Sequence, residues 1–214
     1  CSADWCGRAD MTAAQPLDAL LAARTVWHAG RSAQAVHTRE PTGFPPPDAV
    51  LPERGWPRGA LSELLLPADG VGELALLMPA LARMTAAGER VVLIAPPYVP
   101  YAPAWQAAGI DLTCLDIVEA APRDALWAFE QCLRSAACAA AIGWPQTDDD
   151  RLLRRLQVAA DTGGGCAFAL RDRRHAVNAS PAALRIEYRP DDGAGQVRKC
   201  RGAQPPATAL RLTH

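Results

Sequence analysis

Ala60-Leu-Ser-Glu-Leu-Leu-Leu-Pro-Ala-Asp-Gly-Val-Gly-Glu-Leu74 holds the clue to the fold. Its first part, 60–66, is an apolar run of strand length. Pro67, Asp69, Gly70 and Gly72 then break the run, and from Glu73 to about Ala87 the chain is apolar at helical spacing. Strand, glycine-containing loop and helix are the setting that a phosphate-binding loop requires. Such loops end in Gly-Lys-Ser/Thr, the lysine meeting phosphate and the hydroxyl meeting magnesium. Here Gly72 is followed by Glu73 and Leu74. A carboxylate replaces the cation and a hydrocarbon replaces the hydroxyl, so the loop is degenerate and is expected to repel a triphosphate. An ordinary strand-to-helix turn, with Asp as cap and Gly for the turn, accounts for the same residues.

Downstream, apolar runs at 90–95, 114–118, 138–143 and 166–170 predict further strands. Helical stretches are expected near 73–87, 102–108, 122–137 and 149–161. Strands alternating with helices predict an α/β domain with a mostly parallel central sheet covered on both faces. Asp148-Asp-Asp150 is expected to cap the last of these helices, and Gly163-Gly-Gly165 to end it. Leu184–Tyr188 alternates like a half-exposed strand, Asp191-Asp-Gly193 is a turn, and Gln196–Arg201 is its partner in a C-terminal β-hairpin. Upstream, residues 16–29 have the spacing of an amphipathic helix. The expected organisation is an N-terminal extension and helix (1–30), a Pro/Gly-rich connector (31–59), a core domain (60–202) and a tail (203–214). Met11 has the look of a natural start, which leaves 1–10 as an extension.

Half of the 214 residues are hydrophobic and the net charge is −1, which argues against a disordered chain and against binding driven by bulk charge. The seven cysteines form no Cys-x-x-Cys pair, and no histidine stands near them at metal-ligand spacing. A reduced cytoplasmic protein without a metal fits that pattern, and no apolar run reaches membrane-spanning length.

Hydrolysis needs more than a loop. A phosphate-loop ATPase holds magnesium through an acidic residue at the end of a neighbouring strand. The run 138–143 leads into Trp144-Pro145 instead. His28, His37, His175 and His214 have no evident nucleophile beside them. Neither an enzyme nor a cofactor is therefore expected. Two surfaces are candidates for contact. Tyr98, Tyr101 and Trp105, set among Pro96, Pro97, Pro100 and Pro103, form either a rigid aromatic surface or a cover for the sheet edge. Arg198, Lys199 and Arg201 are the densest basic group, with Arg171, Arg173 and Arg174 as candidate additions, suited to DNA phosphates or simply solvated. Lys199 is the only lysine in the chain.

The approach to the loop, Pro41-Thr-Gly-Phe44, Asp48, Leu51 and Gly55-Trp-Pro-Arg-Gly59, resembles that of RecA-family recombinases, departing from it at Pro47-Asp48. Gly59–Leu64, Val71–Leu74 with Leu77–Ala82, Ala95–Pro103, Ala108–Asp111, Asp124–Gln131, Leu133–Ser135 and Arg154–Gln157, with the basic stretch Val197–Gly202, together resemble, over about 39–212, the ImuA family of translesion-synthesis accessory proteins. Residues 60–189 also resemble the SulA family of cell-division inhibitors. The resemblance implies a RecA-like three-layer fold without ATPase activity and a role in the bacterial SOS response. It implies as partners an ImuB-type polymerase-like protein, an error-prone DNA polymerase and RecA, or FtsZ in the SulA-like alternative. A second copy of the chain and DNA are further candidates. An atypical nucleotide-dependent enzyme is the remaining alternative.

Overall fold

The computed structural model describes residues 39–51, 54–207 and 209–211. Eight strands form one sheet in the order β3-β2-β4-β5-β1-β6-β7-β8. The first six in that order run parallel, from β3 (Leu115–Val118) at the edge through β2 (Val91–Ile94), β4 (Ala140–Gly143), β5 (Cys166–Asp172) and β1 (Ala60–Leu66) to β6 (Leu184–Arg189). The antiparallel β7 (Ala194–Cys200) and β8 (Leu210–Arg211) complete the sheet. Every residue of β1, β2 and β4 is buried, as strands covered on both faces must be.

The two faces carry separate cores. On one, Leu64, Leu66, Leu93, Ile142 and Phe168 pack with a helical layer that includes α2 (Met78–Ala86) and α3 (Ala102–Ala107). Trp56 stands edge-on to Phe168 there, ring centroids 5.3 Å apart, a geometry worth about 0.5–1.5 kcal/mol beyond the buried area. On the other face, Leu61, Val92, Ala141 and Ala167 meet α4 (Pro122–Arg134) and α5 (Asp150–Gly163). In α4 the apolar stripe is Ala125, Leu126, Phe129 and Leu133, the i, i+4, i+8 spacing of one helix face. Glu130, nearly buried, accepts from Arg134 at 2.7 Å and from Arg155 of α5, tying the two helices together. This is a mixed α/β, RecA-like three-layer fold. Among the described residues no helix is long and apolar enough to cross a membrane.

Helix ends follow the sequence. Asp149 caps α5 by accepting from the Arg151 amide at 2.8 Å, and Gly164, at φ 75°, ends it. The helix expected from Glu73 is divided. A 3₁₀ turn spans Glu73–Leu76, and α2 follows with Pro79 in its first turn.

Two stretches differ from expectation. Residues from 39 onward, expected within a connector, pack on the domain. Glu40 and Trp56 form a β-bridge, α1 (Pro45–Val50) follows the Thr42-Gly43 turn, and Phe44, Leu51 and Trp56 are buried. Asp48 accepts from the Thr42 amide at 2.8 Å, and the Thr42 hydroxyl accepts from the Phe44 amide at 3.0 Å. Gly43 has φ 89°, and a Cβ there would lie 2.3 Å from Pro79 Cβ, so glycine is needed. The physical reason for the difference is that isolated apolar residues in a proline-rich segment have no periodicity to reveal burial. Likewise Leu210, expected in a tail, is buried in β8. The helix expected at 16–29 lies outside the described residues.

Candidate functional site

The loop after β1 is filled by its own side chain. Gly72 takes φ 86°, the left-handed region open to glycine, and turns the chain into the 3₁₀ segment. That turn brings Glu73 back over the loop, where its Oε1 accepts from the Gly70 amide at 3.2 Å. The Glu73 side chain is buried, at 3% exposure, and its Oε2 has no hydrogen-bond partner among the described residues. In a working phosphate loop such amides face the ligand. Here a built-in carboxylate occupies one of them. Burial, then Glu73, then Asp172 push the Asp69 carboxyl above its usual range. Burial, Glu73 and Asp192 do the same for the Tyr188 phenol. Asp69, Glu73 and Asp172 have no ion-pair partner among the described residues. The potential around the loop is therefore set against an anion. Pro67 is half-buried at the start of the loop, and Leu74, at the position of the phosphate loop's hydroxyl residue, packs against the core.

At the strand carboxyl ends beside the loop lies a cleft of about 850 Å³. Asp69 lines it from β1, Pro96 and Pro97 from the turn after β2, Glu119 from beyond β3, and Trp144 and Thr147 from beyond β4. This is the crevice in which open α/β sheets usually hold ligands. No carboxylate ends β4; Trp144 and Pro145 stand there. Among the described residues no group of His, Cys, Asp and Glu is arranged to hold a metal ion.

The aromatic residues of the proline-rich turn separate. Tyr98 and Tyr101 are exposed, at 66% and 71%. A Cβ on Gly70 would lie 3.4 Å from Tyr98 Cε2, so the Tyr98 ring leans over the loop. Trp105 does not share that surface. It is buried in the core, where α3 points its large apolar ring at the sheet.

The basic group is also divided, because successive residues of β7 face opposite sides. Arg198 is held by Glu187 at 2.7 Å. Lys199 turns inward and donates to the Ser180 carbonyl at 2.6 Å; burial and Arg185 push its amine below its usual range. Of the three, Arg201 alone stays exposed without a side-chain ion pair among the described residues. The three side chains do not form one basic surface.

A buried charged cluster centres on Glu63 of β1 and takes in Arg171, which therefore does not join the basic group for which it was a candidate. Glu63, fully buried, accepts from Arg171 of β5 at 3.0 Å, Arg185 of β6 at 2.6 Å and Ser180 at 2.9 Å. Arg185 also donates to the carbonyls of His175 at 2.8 Å and Asn178 at 3.0 Å. Arg171 donates to the Thr147 carbonyl at the cleft, and burial pushes its guanidinium below the usual range. His175 is buried, with Nδ1 2.8 Å from Asp148 Oδ1 but not aligned for a hydrogen bond. Its pKa is lowered by burial, then by Arg171, with Asp148 opposing. The signal in the sequence is three charges inside apolar strands, one negative, Glu63, and two positive, Arg171 and Arg185.

The fold and the carboxylate-filled loop define a RecA-like domain with an altered phosphate loop. The chain is similar to the solved structure of SulA from Pseudomonas aeruginosa. Identity is 22%, the match covers 51% of this chain and 96% of that one, and the TM-score is 0.44. No protein-family model matches the chain. No curated protein matches it either.

Proposed function

We propose that the chain is a non-catalytic accessory protein of the SOS response, acting in error-prone translesion synthesis as ImuA proteins do. One observation carries the non-catalytic part: Glu73 sits on the Gly70 amide where a phosphate loop would receive its ligand. A nucleotide bound there would have to displace a buried carboxylate and approach Asp69 and Asp172 as well. Without nucleotide chemistry, a RecA-like domain serves as a binding platform. The role in translesion synthesis rests on the motif resemblance over residues 39–212. Its partners would be an ImuB-type polymerase-like protein, an error-prone polymerase and RecA, in the cytoplasm.

A second reading, inhibition of cell division through FtsZ, has one observation in its favour. The SulA-like stretch 60–189 coincides with the parallel part of the sheet, Ala60 to Arg189. The tagged chain, recovered from DNA-damaged cells of its host and analysed by mass spectrometry, separates the two. Recovery of RecA, ImuB or the polymerase supports the proposal. Recovery of FtsZ without them replaces it, and ATP binding by the purified chain would remove the non-catalytic premise.

A further inference from the structure

The cleft beside the loop combines two properties that a nucleotide site does not. Its walls are apolar, made by Pro96, Pro97, Val99, Pro100, Ile117 and Trp144. Val99 is 92% exposed and Ile117 45%, which is unusual for side chains of this kind. Its charges are mainly acidic. Asp69 and Glu119 line it, neither with an ion-pair partner among the described residues, whereas Asp148, outside the lining, has His175 Nδ1 at 2.8 Å. Among the described residues Arg123 is the one cation in the lining, and its neighbour Asp124 lies 3.4 Å away. Exposed Arg173 and Arg174 lie beyond Asp172, outside the lining. Glu73, buried in the same loop and acting on the Asp69 charge, keeps one oxygen without a hydrogen-bond partner among the described residues. Carboxylates that lack a cation of their own accept one from outside, and apolar walls accept aliphatic or aromatic groups.

We infer that this cleft is the docking site for a basic, apolar peptide segment of a partner protein. An arginine or lysine of the segment meets Asp69 and the loop, and a neighbouring large apolar side chain packs among Val99, Trp144 and the prolines. The phosphate loop has thus been converted from an anion site to a cation site. The inference rests on the binding-platform reading and adds to it the face used and the chemistry recognised. Tyr98, leaning over Gly70, forms the rim between loop and cleft.

Phage-displayed random dodecapeptides panned against the full chain provide the test, with Asp69→Lys and Val99→Asp as parallel targets. Both side chains are on the surface, so neither change removes a core contact. Circular dichroism and thermal melting confirm that the variants are folded. The expected enriched sequences place Arg or Lys close to Leu, Ile or Phe. Synthetic copies bind the unsubstituted chain about tenfold or more tightly than either variant, the weight of one central contact. Their affinity falls as salt is raised. No enrichment, enrichment of acidic sequences, or equal binding to both variants overturns the inference. So does displacement of the peptide by a nucleoside triphosphate. Concentration-dependent dimerisation abolished by the same substitutions would replace the peptide with a second copy and overturn it too. If Asp69→Lys recovers the same SOS proteins from cells as the unsubstituted chain, the cleft is not the contact and the proposed function stands. If neither form recovers them, the proposed function itself fails.

Discussion

At the scale of single residues, Glu73 converts a familiar loop into something else. Its identity was legible in the sequence, since Gly72-Glu-Leu74 replaces Gly-Lys-Ser/Thr. Its position was not, because the return of the side chain to the Gly70 amide depends on the left-handed Gly72 and the 3₁₀ turn. A test of the electrostatics is Glu73→Gln, which keeps an acceptor for Gly70 and removes the charge. Asp69 should then titrate closer to the usual carboxylate range, as one of its three perturbing causes is gone. The consequence for stability has a definite sign. With a raised pKa, folded Asp69 holds its proton more tightly than the unfolded chain does. That stabilisation is complete below the ordinary carboxylate pKa and is lost as pH rises through the folded value. Carbon-13 carboxyl titration by NMR should show the Asp69 transition moving to lower pH in the variant. An unmoved transition would mean that Glu73 does not act on Asp69.

Among elements, the buried charges explain how the sheet is closed beyond β1. Helices α4 and α5 cover β2, β4, β5 and part of β1, and the segment between β5 and β6 adds a 3₁₀ turn, Arg173–Val177, against β1. That segment buries little apolar surface and is fastened by Arg185, which Glu63 holds in place. Periodicity predicted the strands because a parallel sheet demands continuous apolar runs. It was silent on Arg171 and Arg185, since pairing with Glu63 depends on strand order and register. Ser62, Glu63 and Leu64 of β1 lie beside Leu184, Arg185 and Ile186 of β6. Glu63→Ala should cost about 3–5 kcal/mol in urea unfolding, because it leaves two buried arginines without an anion. Arg198→Ala, on an exposed pair, should change stability by less than about 1 kcal/mol. The same segment carries a pH dependence. His175 is held below its usual pKa, so the folded state favours the neutral ring. Its contribution is present above the unfolded pKa, near 6.5, and is lost as pH falls through the folded value. The urea midpoint should therefore drop between about pH 7.5 and 5.5. His175→Gln should flatten that slope, measured as a difference between the two proteins so that carboxylate titrations cancel.

For the molecule as a whole, the order of strands and helices was legible and the extent of the domain was not. Alternating apolar runs place β1 to β5 within a few residues, because each run is long enough to interrupt the polar background, even at the half-exposed edge strand β3. Phe44, Leu51, Trp56 and Leu210 escaped notice because each enters the core singly, from a segment without a repeating pattern. In the candidate region the altered loop was legible, and Tyr98 and Tyr101 are exposed, as one of the two readings of the proline-rich turn expects. Trp105 and Lys199 went elsewhere because an α-helix and a β-strand decide facing by geometry that a cluster of similar residues does not record. The cysteines report on the integrity of this larger domain. Burial pushes the Cys138 thiol up to about 11 and that of Cys166 up to about 12. Alkylation requires the thiolate, so both should resist iodoacetamide at neutral pH while the sheet is intact. Cys166 lies in β5 between β4 and β1, and its side chain is in the same core as Trp56. Its labelling should therefore follow unfolding of the whole domain, not local opening. Trp56→Ala removes a buried ring and should lower stability by about 3–5 kcal/mol. If the segment 39–59 is integral to the domain, that substitution should speed Cys166 labelling in native buffer, read by mass spectrometry. Unchanged labelling would show that the sheet stands without the segment, and that the domain begins near Ala60 after all.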